Sequence, residues 1–397
     1  MQNGLKIVKV GFLLPLQKEW MGGVNYFKTL FSAIHCVNEH SDDGVLIKPY
    51  IFRPKDEDLA KEFSKYAEFI NIKRSKKIGY YIKKIYKALL FKKFNKQKYM
   101  VETYDPALDL VSHSVTNQNI VMLPWIPDFQ HIHLPEMFSK EEVKIRDESF
   151  KKQIDVGKFV LLSSKDALKD FNLFAPDKTF KARVLHFVSN INPDIYSETD
   201  RLAKDIKEKY KLPNKYFYVP NQFWQHKNHK IVFEAISLLK QKGVNIKVVF
   251  TGYSADYRNE KYFSQLMNYA DETGIRDNIK VLGLVDSIDV YFLMRNCVSI
   301  INPSLFEGWS STVEEAKSLG KNIILSNLNV HKEQNPPCAI YFDPHKPQEL
   351  ADIMLDKWNS SNGGPDEELE QMAKTNLPKR MLDFGETYKK IVLEAME

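Results

Sequence analysis

An α/β chain of two similar halves, each with a mostly parallel sheet, is predicted by two observations. Short apolar runs alternate with longer amphipathic stretches along the 397 residues, the pattern of β-α-β units and mostly parallel sheets. That series restarts midway, where YFYVP, IKVVFTG, IKVLG, VSIIN and NIILS succeed one another from Tyr216 onward. Helical stretches separate most of them, such as 231–242 and 260–273.

The first half opens with a strand over 7–14. A turn region ends in Gly22-Gly23, and an amphipathic helix is expected over 24–38. A second apolar run, 118–123, leads into the proline-rich loop PWIPDFQHIHLPE, and 158–162 reads as a buried strand ending at Ser163-Ser164. The polar stretch 190–215 separates the halves, with Pro193-Asp194 as a turn or hinge. The expected domains are therefore 1–192 and 193–378, followed by a C-terminal helix over 379–397.

Composition excludes several classes. Hydrophobic residues make up 43% and charged residues 27%, with 25 Phe and 19 Tyr, so two sizeable cores can be buried and the composition argues against a disordered chain. Cys36, Cys297 and Cys338 have neither metal-ligand nor redox spacing, which suits a reducing cytoplasm. The apolar run 10–16 is short and is followed by charge, and no run approaches the ~18 residues of a membrane span. A soluble or peripherally attached protein is expected.

The informative segment is SLFEGWSSTVEEAKSLGK, 304–321, after the strand VSIINP. Gly308 to Thr312 supply a turn, Thr312 is the expected N-cap with Glu315 as its capping-box partner, and Gly320 ends a helix over 313–319. A strand, a small-residue loop and a helix N-terminus make an anion site. Glu307 and Glu315 flank it, and carboxylates accept hydrogen bonds from hydroxyls. A phosphate cradle between two hydroxyl-binding acids suits a nucleotide diphosphate sugar. The competing reading makes Glu315 a helix cap and Glu307 a surface charge.

This segment resembles the E-x7-E signature of family 4 glycosyltransferases (glycosyl transferases group 1), with Glu307 and Glu315 as the acids and matching NPS-x-x-EG and EA-x-x-x-G. The likeness extends over most of the chain. Gly22-Gly23-Val24 resembles the family's N-domain glycine loop, and Ser164 with Asp170 its Ser-x5-Asp segment. VPNQFWQHKNH (219–229) is similar to its Lys-Asn strand end, and IKVLGLVD (279–286), with Leu284 and Val285, to its base-contacting segment. The helix from Lys379 resembles the one that crosses back to the N-domain.

The resemblance implies the GT-B fold, two Rossmann-like domains facing a cleft, and a retaining transfer of sugar from a nucleotide sugar to a glycan or lipid-linked glycan, as in bacterial surface polysaccharide or lipopolysaccharide assembly. It implies that Lys227 contacts the diphosphate, Glu315 the ribose and Glu307 the transferred sugar. Gly308, Trp309, Ser310, Ser311 and Thr312 would offer backbone N–H groups, and Gly23 would let backbone approach the same diphosphate. Without the resemblance, Lys227 reads as a solvated lysine. No cofactor or metal is required, and interdomain closure is expected to complete the site.

Two positions depart from the pattern. Asn221 stands where an Arg is common, so one cationic contact is absent or supplied elsewhere. In the family's His-Asp-x6-Pro loop, Pro127 stands for the histidine, with Asp128 aligned and Pro135 seven residues on. His131 or His133 could take the acceptor or donor contact, the alternative being a structural or solvent-facing histidine. A GT-B-like protein that binds a nucleotide sugar or glycan without catalysis is the competing function. A P-loop nucleotidase is excluded, because no G-x4-GK-[ST] occurs.

Between Lys73 and Lys98 stand eleven Lys or Arg and no acid, with Ile78, Ile82, Ile85 and Leu89 on one helical stripe. An interfacial helix on the anionic inner face of the cytoplasmic membrane is expected. An ordinary core-facing helix is the alternative. Nucleic acid is not the expected partner, since no nucleic-acid module is recognisable.

Overall fold

A computed structural model describes residues 6–13, 21–52, 63–70, 99–103, 120–197 and 200–397. The basic stretch 73–98 lies outside the described residues. The chain divides into two compact units: Met1–His131 with Ser139–Val188 and Lys379–Glu397, and Ile132–Phe138 with Ser189–Pro378.

The first unit carries β1 (Lys6–Leu13), β2 (Val45–Phe52), β3 (Glu68–Ile70), β4 (Tyr99–Thr103), β5 (Ile120–Ile126), β6 (Val160–Leu162) and β7 (Ala182–Val184). All pair parallel, in the order β3-β2-β1-β4-β5-β6-β7. Val8, Val10 and Phe12 point into the core while Ile7 is exposed, the period of two that a strand imposes. The helix Met21–His40 covers β1. Its Phe31 ring meets Phe12 edge-on at 4.7 Å, and Tyr26 stacks on Trp125 of β5 at 4.0 Å. Gly22 and Gly23, expected in the preceding turn, fall in the first turn of this helix.

The second unit carries β8 (Phe217–Val219), β9 (Val248–Phe250), β10 (Ile279–Val281), β11 (Ile300–Asn302), β12 (Ile323–Ser326) and β13 (Ile340–Phe342). These six parallel strands run β10-β9-β8-β11-β12-β13. The helices His229–Gln241, Tyr262–Glu272 and Pro347–Ser360 bury apolar faces against this sheet, through Val232, Phe233, Ile236, Leu266 and Met354 among others. Burial of such side chains contributes roughly 1.5–3 kcal/mol each.

In each unit the strand order reverses once, between β1 and β4 and between β8 and β11. Both sheets are thus Rossmann-like, and in such sheets ligands bind outside the carboxyl ends of the strands at that reversal.

The C-terminal helix is longer than expected, Glu367–Met396, with Pro378 inside it. The division between units falls at that proline, whose missing N–H breaks the helical ladder. In the first unit, buried Lys389 donates to Ser41 Oγ at 2.8 Å, Asp43 Oδ1 at 2.7 Å and Val45 O at 2.6 Å. In the second, Arg295 Nε donates to buried Glu370 Oε1 at 2.6 Å. Among the described residues, no helix is long and apolar enough to cross a membrane.

Candidate functional site

Lys227 and Glu307 leave the carboxyl ends of β8 and β11, the two strands on either side of the order reversal in the second unit. The link between them is direct: Lys227 Nζ donates to Glu307 Oε1 at 2.7 Å, with both side chains mostly buried. Ser304 Oγ donates to the same oxygen at 2.6 Å. Burial alone would push the Glu307 carboxyl up. The Lys227 ammonium, His331 and the two hydrogen bonds outweigh it and hold the group below the usual carboxylate range.

The loop after β11 is braced from within. Asn302 Nδ2 donates to Ser310 Oγ at 2.8 Å, and Leu305 N donates to His226 O at 2.8 Å. The helix that follows is Ser311–Leu319, with Ser310 at the N-cap position and Gly320 in the left-handed C-cap conformation. The expected capping box of Thr312 with Glu315 is therefore absent: Thr312 is the second helical residue and Glu315 the fifth. A true capping box forms elsewhere, where Ser139 and Glu142 exchange hydrogen bonds at the start of Lys140–Val156.

The reason is a side chain distant in sequence. Gln334 Oε1 accepts from Ser310 N at 3.1 Å, and its Nε2 donates to Ser310 O and Glu314 Oε1, both at 3.0 Å. A buried glutamine thus spends the Ser310 N–H, which is not open to an anion as expected. The N–H groups of Ser311, Thr312 and Val313 have no carbonyl partner within the helix and remain the outward donors.

Glu315 is nine-tenths buried. Its carboxylate has no hydrogen-bond partner among the described residues, and burial pushes it up to about 8. Its charge acts on the phenols of Tyr218 and Tyr291, both raised chiefly by burial. A lone acid in that setting is suited to ligand hydroxyls rather than to holding a helix end.

Asn221 is buried just beyond β8, its Oδ1 unpartnered among the described residues. Its carbonyl accepts from His229 Nε2 at 3.2 Å. Gly252, at φ +131°, passes so close to that carbonyl that a Cβ would collide with it, so the tight turn after β9 requires glycine. No cation occupies the Asn221 position. In the base-contacting segment Leu284 is exposed and Val285 half-buried, after Gly283 at φ +72°. Gly308 and Trp309 are half-buried in the loop before the helix.

The remaining sequence candidates separate. Asp128 lies in the first unit after β5, where its Oδ1 accepts from Gln130 N at 2.9 Å. His131 is buried against Phe150 and bonded through Nε2 to Asp147 Oδ1 at 3.0 Å. His133 belongs with the second unit, its ring 5.1 Å from that of Phe306, the neighbour of Glu307.

Sequence reasoning missed His331, on the short helix after β12. It is fully buried, Nδ1 donates to Ser326 O at 2.8 Å, and Nε2 has no partner among the described residues. Burial lowers its pKa against the opposing pull of Glu307. The only sequence signal was its place after a strand end.

Two outcomes follow from these charges. Lys227→Ala leaves Glu307 buried without its counter-ion, which should cost roughly 3–5 kcal/mol in urea unfolding. Adding Glu307→Gln should recover most of that loss. A single variant as stable as wild type would show that the pair is only a solvated contact. Glu315 holds a proton up to about pH 8 in the folded chain, against 4.5 ordinarily. Between those values the unfolded chain sheds a proton the folded chain keeps, so stability falls by about 1.4 kcal/mol per pH unit as pH rises. Glu315→Gln should match wild type near the ordinary value and exceed it increasingly toward pH 8. A constant difference across that window would contradict the lone-acid geometry.

The glycosyl transferases group 1 family model matches residues 200–376, inside the second unit. The capsular polysaccharide biosynthesis glycosyltransferase CapH of Staphylococcus aureus is 27% identical over 198 residues, 44% of this chain and 53% of that protein. The chain therefore spans about half the length of that curated relative. Two solved structures match nearly end to end. A glycosyltransferase from Rickettsia africae superposes with a TM-score of 0.67 at 18% identity, covering 100% of this chain and 99% of that one. Anabaena HepE in complex with UDP and glucose gives 0.70 at 13% identity, covering 97% and 99%. At such identities the likeness is one of fold. Residues 200–376 are thus similar to the glycosyl transferases group 1 family, in a chain with the two-domain GT-B fold.

Proposed function

We propose that this protein is a retaining glycosyltransferase that moves a sugar from a nucleoside diphosphate donor to a hydroxyl of a glycan or lipid-linked glycan. The observation that carries this is the meeting of Lys227 and Glu307 at 2.7 Å beside the N-terminus of Ser311–Leu319, at the strand-order reversal. The diphosphate binds the free N–H groups of that helix and draws Lys227 away from Glu307. Glu307, relieved of its cation, accepts hydroxyl hydrogens of the transferred sugar. Glu315 accepts the ribose hydroxyls.

As the glycosidic bond breaks, negative charge gathers on the leaving diphosphate, where the ammonium and the helix N-terminus stabilise it. The sugar becomes oxocarbenium-like. The acceptor hydroxyl attacks from the leaving-group face, and a donor phosphate oxygen takes its proton, so no protein nucleophile is needed. Retention rests on the resemblance of the Glu307–Glu315 spacing to the family signature, and no metal has a part in this scheme. Placement in bacterial surface polysaccharide assembly is supported by the CapH relative. The basic stretch 73–98 would then hold the enzyme at an anionic membrane near its acceptor. The unpartnered Asn221, in place of a cation, favours the competing reading of binding without catalysis.

A donor panel of UDP-, GDP-, ADP- and dTDP-sugars tests the proposal by thermal shift and by release of nucleoside diphosphate. At least one donor should stabilise the protein and be turned over. Glu315→Gln should weaken the bare nucleotide about tenfold or more, while Glu307→Gln should spare it and slow the sugar-dependent step. Binding without turnover would leave the binding-protein reading. No binding of any donor, or wild-type behaviour in both variants, would overturn the site.

A further inference from the structure

The cation missing at Asn221 leaves one diphosphate contact unassigned, and an unused donor stands beside Lys227. His226, in the turn Gln225–Lys227, is 5% exposed. Its Nδ1 lies 3.1 Å from Nη2 of Arg258. A guanidinium only donates, so Nδ1 must accept and the ring proton must sit on Nε2. Among the described residues Nε2 has no hydrogen-bond partner, and unlike His229 Nδ1 and His331 Nε2 it is not sealed from solvent.

Arg258 is itself fixed. Its Nε meets Asp256 Oδ1 at 3.2 Å, both side chains being buried. Its guanidinium lies over the rings of Phe138 at 5.3 Å and of Trp224 and Tyr257 at 5.4 Å. Asp256 Oδ2 also accepts from Gln225 N at 2.8 Å, which ties the turn to the same anchor. Burial first, then the charges of Lys227 and Arg258 and the nearby His229, keep the ring neutral. Arg258 is too encased to reach a ligand, yet it sets which nitrogen of His226 carries the hydrogen.

We infer that His226 donates its Nε2–H to the diphosphate of the bound nucleotide, with Arg258 as the positioning residue that enforces this tautomer. The inference rests on the donor reading above and adds a neutral phosphate contact from the residue before Lys227, in a chain that lacks the family's cation at the Asn221 position. A neutral donor keeps its hydrogen when the anion arrives, so its contribution does not depend on pH near neutrality.

Binding is measured for UDP, GDP, ADP and dTDP, each beside its own nucleoside, with wild type, His226→Phe and His226→Gln. For whichever diphosphate binds wild type, His226→Phe should weaken it about tenfold and leave the nucleoside unchanged. His226→Gln, which keeps an N–H near the Nε2 position, should restore most of the affinity. Histidine-ring 15N spectra of the wild type should show His226 neutral with its proton on Nε2 from about pH 5 to pH 8. Its Nε2 signal should shift on adding the diphosphate. Undiminished diphosphate binding by His226→Phe, equal loss for nucleoside and diphosphate, or a proton on Nδ1 would overturn the inference alone. Wild type that binds no nucleoside diphosphate would overturn the donor reading and this inference with it.

Discussion

A parallel sheet must send its crossovers to opposite faces wherever the strand order reverses, and the second unit does so between β8 and β11. That constraint opens a space at the carboxyl ends of these two strands. The charged groups proposed for the donor leave from there: the turn bearing His226 and Lys227 after β8, and the loop and helix bearing Glu307 and Glu315 after β11. Neither pair is close in sequence to the other. The strand order alone makes Lys227 and Glu307 neighbours across 80 residues.

The charges at this point suit the doubly charged group proposed to bind there. Glu307 is too buried to stay ionised by itself, and Lys227 with Ser304 supplies what water would otherwise give. Glu315 has no such help and keeps its proton to about pH 8. One acid is held charged by a cation that a diphosphate can recruit, and the other is left neutral until hydroxyls meet it. Gln334 holds both the N–H and the carbonyl of Ser310, which fixes the end of the loop at the helix start.

The sequence made β8, β9, β11 and β12 legible because they are buried on both faces and read as short apolar runs, Phe217–Val219 and Ile300–Asn302 among them. β13 was missed although its run, Ile340–Phe342, is as long as that of β8 or β11. The E-x7-E spacing located Glu307 and Glu315, but the helix start was misplaced, since the side chain that settles it, Gln334, arrives from another helix. His226 carried no local signal. Its meaning depends on Arg258, 32 residues further on, and on which of two nitrogens faces a guanidinium. Asp128 and His131 were read as site candidates from a loop pattern, and the structure places them in the first unit, Asp128 at a helix start and His131 paired with Asp147.

The most direct measurement is a crystal structure of the protein with a bound nucleoside diphosphate. The expected result is a diphosphate at the N–H groups of Ser311 and Thr312 with Lys227 Nζ turned from Glu307 onto a phosphate oxygen, and the ribose on Glu315. A nucleotide lodged elsewhere, with Lys227 still paired only to Glu307, would contradict the account.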